Sequence, residues 1–504
     1  MMESLIGLGQ GFGIALSFGN LLWCLLGVAL GTAVGVLPGL GPTATISLLL
    51  PITFRLDATS SLIMLSGIYY GAMYGGSITS ILVKIPGEAS SIVTCIDGHE
   101  MARRGRAGPA LGISAFGSFI AGVVATLGVA LAGPAVADVA LAFGPAEYTA
   151  LVVLGLVLVT QIGEGPRIRA LLMAALGLWG STVGLDPIEG TTRFTFGVLE
   201  LQDGLDIAVL AMGLFGVAEV LTLAAAKEGS TQMVDSPRGL RALLPDRADW
   251  RASSGPIARG SVLGFALGLL PGGGALISSF ASYVMERRLA KDPSRFGQGA
   301  IEGVAGPETA NNAAAQASFV PLLSLGIPSN VVMGVMIGAL MIQGIAPGPM
   351  LATERPELFW GVIASMLIGN LMLLVLNVPL LPVFVALLRV PQRILAPLIL
   401  LFCVVGAYSL QNSAFDVMMV AIFGVVGFLL RLVRLDPAPF MLAFVLGELL
   451  EKSIRQSLLI GLGSPMILVE KPISAALFAL AALVLCWPAL RWIQIRIMGG
   501  RRTT

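Results

Sequence analysis

The sequence predicts an all-α polytopic integral membrane protein built from two inverted-topology repeats with broken helices or re-entrant hairpins. Three observations carry that expectation. The 504 residues are 56% hydrophobic and only 12% charged, with a mean hydropathy of +0.90; a soluble chain carries about 25% charged residues. Apolar stretches long enough to cross a bilayer recur along the chain, and several are interrupted by Pro-Gly clusters. Loops at matching places in the two halves carry opposite charge patterns.

Lys+Arg 30 against Asp+Glu 29 leaves almost no net charge. That balance excludes a disordered scaffold, and a nucleic-acid binder would show a basic excess. Cys24, Cys95, Cys403 and Cys486 lie far apart in apolar surroundings and His99 is the single histidine. Neither a disulfide framework nor a His/Cys metal site fits that spacing.

In chain order, 5–28 reads as a first spanning helix that is retained, because no positive charge precedes it and no clear cleavage motif follows. Segment 29–53 is apolar but broken at Pro38-Gly39-Leu-Gly41. A span at 59–84 leads to a second break at Ile85-Pro86-Gly87, and further spans follow at 109–131, 146–163, 168–185 and 204–226. Residues 227–259 hold ten charges in 33 residues and read as a linker. Breaks return at Pro271-Gly272-Gly273-Gly274 and at Ile327-Pro328-Ser329, with spans at 303–326, 357–380, 394–411, 414–430, 437–450 and 472–490. Backbone opened by such breaks must be buried in protein or line a water-filled cavity. The expected organisation is a first transmembrane repeat over 1–226, a charged cytoplasmic linker over 227–259, a second repeat over 260–490 and a basic cytoplasmic tail over 491–504.

Four landmarks recur in the same order. Gly31…Gly35-Val-Leu-Pro38-Gly39-Leu-Gly41 aligns with Gly264…Gly268-Leu-Leu-Pro271-Gly272-Gly-Gly274, and Ile85-Pro86-Gly87 with Ile327-Pro328-Ser329. Met101 and Gly108-Pro109 align with Met341 and Gly348-Pro349, and Leu185-Asp186-Pro187 with Leu435-Asp436-Pro437. An ordered set of this kind points to duplication. After the first break the first half has only Arg55 and Asp57, where the second has four cations over 286–295. After the second break the pattern reverses, with Arg103-Arg104-Gly-Arg106 against no charge over 339–353. Cations in short loops mark the cytoplasmic side, so matching loops of opposite charge imply opposite orientation. Inverted repeats with broken helices are an architecture of secondary transporters, with the binding site near midplane. Two helix N-termini, one from each half, can hold a carboxylate through unpaired N–H groups and positive dipole ends.

Pro38-Gly-Leu-Gly-Pro42, Tyr69-Tyr-Gly-Ala-Met-Tyr-Gly-Gly-Ser77, Ile85-Pro-Gly-Glu-Ala-Ser90, Pro271-Gly-Gly-Gly274 and Gly306-Pro-Glu-Thr-Ala-Asn-Asn-Ala313 together resemble the large membrane subunit of the tripartite tricarboxylate transporters, over roughly 20–490. The resemblance implies a bacterial inner-membrane, multi-pass carrier. Its partners would be a small four-helix membrane subunit, a periplasmic substrate-binding protein and an organic acid. An Na⁺ or H⁺ gradient would drive it, with no other cofactor. In agreement, the chain has no GxxxxGK[ST] sequence. Two places depart from the family pattern: Lys84 stands where that pattern has Asn, and the second Ile-Pro-Gly is Ile327-Pro328-Ser329. Both fall where substrate is expected, so the particular acid is not carried over.

Candidate substrate residues are Pro38, Gly39, Gly41, Thr43, Ser77, Lys84, Pro86 and Gly87 in the first half. In the second they are Pro271, Gly272, Gly273, Gly274, Pro328, Ser329 and Asn330. Gly31/Gly35 and Gly264/Gly268 read instead as small-xxx-small packing positions. Candidate ion-coupling residues are Glu88, Glu308, Asn311 and Asn312, the two amides being hard oxygen donors suited to Na⁺. Glu308 is the one charge between Val304 and Thr353. Glu88 also reads as a helix-capping acid, the amides as interhelical glue, and Lys84 as an anion's counter-ion, a snorkelling side chain or a partner of Glu88. His99, within Asp97-Gly-His-Glu100, reads as part of a solvated loop or as a proton relay.

The expected activity is ion-driven uptake by an elevator-like motion. An organic-anion channel and a binding-protein-independent carrier are the alternatives. An intramembrane enzyme would need a nucleophile–base pair or metal ligands, which one loop histidine and the lack of HExxH do not supply.

Overall fold

The computed structural model describes residues 2–37, 41–53, 55–160, 166–225, 234, 239–270, 274–388, 390 and 392–499. It is 80% helical. Single-turn pieces aside, the helices run α1 Met2–Ala15, α2 Phe18–Val36, α3 Pro42–Thr53, α4 Ala58–Val83, α5 Thr94–Met101, α6 Ala107–Ala140, α7 Pro145–Val159, α8 Arg167–Gly180, α9 Ile207–Ala225, α10 Arg247–Gly268, α11 Gly274–Leu289, α12 Glu302–Ala317, α13 Val331–Ile342, α14 Pro356–Asn377, α15 Leu381–Leu387, α16 Gln392–Gln411, α17 Ala414–Leu432, α18 Ala438–Ile460 and α19 Pro472–Gly499. Five described helical stretches are long and apolar enough to cross a membrane: Phe18–Val36, Thr94–Ala140, Ile207–Ala225, Pro356–Asn377 and Ala414–Leu432.

The chain forms two compact units. One comprises residues 1–141 and 206–434, the other residues 142–205 and 435–504.

In the first unit, α4 and α12 are the most enclosed helices. Every residue from Ser60 to Leu82 and from Gly303 to Ala317 is buried. A helix surrounded by protein does not need an apolar surface, which is why these two carry so many Ser, Thr, Tyr and Asn residues. Each packs against a glycine-bearing partner at backbone distance. A Cβ on Gly27, Gly31 or Gly35 of α2 would strike the carbonyl of Met64, Ile68 or Ala72 on α4. A Cβ on Gly260, Gly264 or Gly268 of α10 would strike the carbonyl of Gly306, Ala310 or Ala314 on α12. The spacing of four residues on each helix is the same in both pairs, so Gly31/Gly35 and Gly264/Gly268 are packing glycines.

The correspondence continues past the first breaks. The Gly41 carbonyl accepts from Thr45 Oγ1 at 3.0 Å, and the Gly274 carbonyl accepts from Ser278 Oγ four residues on. It also holds at the second breaks. The residue before Ile-Pro is left-handed in both halves: Lys84 at φ 63°, ψ 24°, and Gly326 at φ 69°, ψ 25°. Four residues later Glu88 and Asn330 are both extended, with φ −149° and −157°, and both cap the helical turn that follows.

Two expectations are corrected here. The span 5–28 is two helices, because Ser17 Oγ accepts the Asn20 N–H (3.4 Å) as the cap of α2. Asn20 in turn donates to the Ile14 carbonyl at 2.9 Å and accepts from Ser60 Oγ at 2.6 Å. Residues 97–100 are not a solvated loop but part of α5. Asp97 is fully buried, and the buried His99 ring places Nδ1 3.0 Å from the Ile81 carbonyl. The Asp97 carboxylate accepts from the backbone N–H groups of Gly297 (2.9 Å), Gly299 (2.7 Å) and Ala300 (2.9 Å) and from the Tyr283 hydroxyl (2.9 Å).

In the second unit, Gly184–Leu185 and Thr192–Arg193 form a short antiparallel hairpin, Gly184 opposite Arg193 and Leu185 opposite Thr192. Asp186 caps its turn, accepting from Ile188 N (2.8 Å) and Glu189 N (2.9 Å), and pairs with Arg455 (3.0 and 2.9 Å). Asp436 behaves alike, accepting from Ala438 N at 2.9 Å.

Candidate functional site

Two acids lie where the enclosed helices meet the breaks. Glu308 on α12 is 1% exposed. Its carboxylate accepts from three hydroxyls on three different helices: Ser77 of α4, Thr94 of α5 and Ser114 of α6, the last at 3.1 Å. One turn along α12, Asn312 donates to Ser118 Oγ (2.7 Å) and to the Glu308 carbonyl (3.0 Å). Glu308 and Asn312 thus face Ser114 and Ser118, each pair one helical turn apart.

Glu88 caps the turn after Ile85-Pro86-Gly87, the first of the two Ile-Pro breaks. Its carboxylate accepts from Ser90 N (3.3 Å), from the Ser90 hydroxyl, and from Asn311 Nδ2 at 3.0 Å. Ser91 Oγ completes a capping box with the Glu88 N–H at 3.4 Å. Ser90 Oγ also lies 2.7 Å from Asn311 Oδ1, and one hydroxyl proton serves one acceptor at a time. Both readings of Glu88 therefore apply: it caps a helical turn and it bonds to α12.

At Ile327-Pro328-Ser329, the second of the two Ile-Pro breaks, Asn330 Oδ1 accepts the Met333 N–H (3.0 Å) as the cap of α13. Its Nδ2 donates to the Tyr69 hydroxyl at 3.1 Å and to Ser318 Oγ at 3.3 Å. Ser329, one residue earlier, is fully buried and its hydroxyl has no hydrogen-bond partner among the described residues. The same is true of both amide atoms of Gln316, the Tyr70 and Tyr74 hydroxyls and Asn312 Oδ1. Among the described residues no Lys or Arg pairs with Glu88 or Glu308.

The structure thus brings together Glu88, Glu308, Ser77, Asn311 and Asn312, with Asn330 and Ser329 at the matching break. Pro86 and Gly87 lie in the first break and Pro328 in the second. A Cβ on Gly87 would strike the Gly35 carbonyl, which makes the glycine obligatory there. Lys84 is exposed and forms no ion pair among the described residues. Gly41, Thr43 and Gly274 stand at the N-terminal ends of α3 and α11, and among the described residues none of their hydrogen bonds reaches either acid. Pro38, Gly39, Pro271, Gly272 and Gly273 lie outside the described residues. Sequence reading missed Thr94, Ser114, Ser118, Tyr69 and Ser318. The i, i+4 spacing of Ser114 and Ser118 against Glu308 and Asn312 was the available signal for two of them.

A polytopic helical protein whose most polar helices are its most buried ones, with acids held by hydroxyls and amides at helix breaks, belongs to the class of membrane transport proteins. The family model described as "Tripartite tricarboxylate transporter TctA family" matches residues 21–442, and the chain belongs to that family. That family is the large subunit of the tripartite tricarboxylate transporter. The chain is similar to the "Uncharacterized 52.8 kDa protein in TAR-I ttuC' 3'region" of Agrobacterium vitis, with 52% identity over 479 residues covering 95% of each chain. It is also similar to the "Uncharacterized protein in TAR-II ttuC' 3'region" of the same organism, with 52% identity over 217 residues, 43% of this chain and 90% of the relative. No solved structure matches.

Proposed function

We propose that this chain is the large permease subunit of a binding-protein-dependent secondary transporter, taking up organic acids of the di- or tricarboxylate class with Na⁺ or H⁺. In this reading it sits in a bacterial inner membrane, accompanied by a small four-helix membrane subunit and a periplasmic protein that delivers the acid. The observation that carries the reading is that each Ile-Pro break bonds to an enclosed helix, Glu88 to Asn311 and Asn330 to Tyr69, and that no Lys or Arg pairs with Glu88 or Glu308 among the described residues. Ionisable groups buried in a membrane protein are costly and mark ion or substrate pathways.

Glu308 and its three hydroxyls form a compact set of oxygens. With Asn311 and Asn312 beside them, they offer the hard donors that a coupling cation takes; a proton on the carboxylate is the other form of the same device. The two halves are an inverted duplication in this account, supported by the opposed loop charges and by the glycine registers and breaks that recur in both. The breaks then slide as one body against the remaining helices, an elevator-like movement proposed by analogy with other inverted-repeat carriers.

Proteoliposomes test the reading. Accumulation of a carboxylate against its gradient, dependent on Na⁺ or H⁺ and on added binding protein, is expected. Passive equilibration alone would identify a channel, and accumulation without binding protein a self-sufficient carrier.

A further inference from the structure

We infer that the two breaks divide the work: a ligand carboxylate docks at the second break, on Ser329 and the N-terminus of α13, while the first break is closed to anions by Glu88. The inference rests on the transport reading above and assigns places within it.

The two breaks are built alike and differ in two charges: Lys84 and Glu88 at the first stand where Gly326 and Asn330 stand at the second. Of the two charges it is Glu88 that sits on the helix start, Lys84 being exposed and in no ion pair among the described residues. At the first, position four after the left-handed residue is Glu88, whose carboxylate sits on the N–H of Ser90 and the amide of Asn311. The protein has thus placed its own carboxylate where a helix start offers donors. At the second, the same position is Asn330, which caps the 12-residue helix α13 with a neutral oxygen. The positive end of that helix has no carboxylate of its own there. Beside the cap, Ser329 is fully buried with a hydroxyl that has no partner among the described residues. Its counterpart in the first break is Gly87, packed against backbone, where a side chain has no room. Among the described residues, a buried side-chain donor without an acceptor stands at the break that lacks a carboxylate, and none stands at the break that has one.

The placement also bears on ion coupling. Asn330 reaches Tyr69 of α4, and Ser90, which holds Glu88, lies 3.7 Å from Met73 Sδ, one turn further along the same helix. A ligand carboxylate at the second break would stand close to the Glu88 carboxylate. Two anions in a low-dielectric interior repel, and a cation held between them by Glu88 and the Asn311 oxygen removes the penalty. Coupling then follows from charge: the acid binds well only when the cation is present.

The test compares Asn330→Asp, Asn330→Ser and Ser329→Ala in the full chain. Asp and Ser are both good helix caps, so the first two differ chiefly in charge. Binding of acetate, succinate, malate and citrate to purified protein in nanodiscs is measured, with succinamide as a neutral control and thermal melting as the check on folding. Asn330→Asp is expected to weaken carboxylate binding by about 30-fold or more through like-charge repulsion, Asn330→Ser by less than about fivefold, and Ser329→Ala by about five- to tenfold. Carboxylate binding by Asn330→Asp within about threefold of wild type, or equal losses in Asn330→Ser and Asn330→Asp, would overturn the assignment while leaving the transport reading standing. If wild-type protein binds none of the four acids, this inference fails, and the transport reading fails separately only if proteoliposomes given the binding protein accumulate no carboxylate.

Discussion

Glu88 and Asn330 hold the same position in two matching breaks, and each reaches a buried helix of the other half. Glu88 accepts from Asn311 on α12, and Asn330 donates to Tyr69 on α4. Asn311 lies three residues before Ala314, which packs on Gly268; Tyr69 lies three residues before Ala72, which packs on Gly35. The two contacts are therefore counterparts. Reciprocal contacts of this kind are what the proposed duplication predicts.

If the carboxylate cluster carries the coupling ion, Glu308→Gln or Asn311→Ala removes coupled uptake while expression and helical content stay at wild-type level. Uptake with wild-type ion dependence in both variants would remove these residues from the ion site.

Lys84 bears a side chain in a left-handed conformation, which costs an L-residue about 1–2 kcal/mol unless it is Gly or Asn. Lys84→Asn is expected to raise stability by up to about 1 kcal/mol. Gly326→Ala is expected to lower it by at least about as much, since its Cβ would also strike the Pro347 carbonyl. Thermal unfolding in detergent reads both. An unchanged melting temperature in both variants would mean the two helix ends are not fixed as described.

Overpacking separates packing glycines from free ones. Gly31→Ala and Gly264→Ala force a methyl group into a neighbouring carbonyl, and each is expected to cost about 1–3 kcal/mol. Gly9→Ala and Gly13→Ala of α1 meet nothing within 4 Å and are expected to be neutral or slightly stabilising. Equal effects in both sets would contradict the backbone contacts of α2 with α4 and α10 with α12.

Asp186 gives the hairpin unit a pH dependence. The N–H groups of Glu189 and Ile188, with Arg455 beside them, hold its carboxyl down at about 2, below the value of about 3.9 in an unfolded chain. Its stabilising effect is thus fully present above about pH 4 and is lost as pH falls through about 2. Trp179, edge-on to Phe194 at 5.6 Å, reports on this region in a single-tryptophan variant. Its emission is expected to be flat from pH 8 to about 4 and to shift below that, and Asp186→Asn should remove the acid transition. A transition centred near neutral pH would contradict the assignment.

Much of this was legible in the sequence because it rests on charge and on rare residues. Glu308 stood out as the one charge in a long uncharged stretch, and Ile-Pro marked both of the breaks that Glu88 and Asn330 cap. The hydroxyls that hold Glu308 were not legible in the same way. Ser and Thr occur throughout membrane helices, and Thr94 meets Ser77 and Ser114 only once three helices pack. Asp97 was misread because a charged tetrapeptide beside an Arg cluster resembles a solvated loop. Its burial depends on three backbone N–H groups two hundred residues away in the chain. The first helix was read as continuous because Ser17 and Asn20 interrupt it through hydrogen bonds rather than through Pro or Gly.

The central claim is the opposed orientation of two like halves, and thiol labelling with a membrane-impermeant reagent tests it most directly. Single cysteines at Arg55 and Lys291 mark the matching loops after the breaks at 38–41 and 271–274, and one at Arg104 marks the segment after Ile85-Pro86-Gly87. In intact and in opened cells, Lys291 and Arg104 are expected to label from the cytoplasmic face and Arg55 from the outer face. Labelling of Arg55 and Lys291 from the same face would contradict the account.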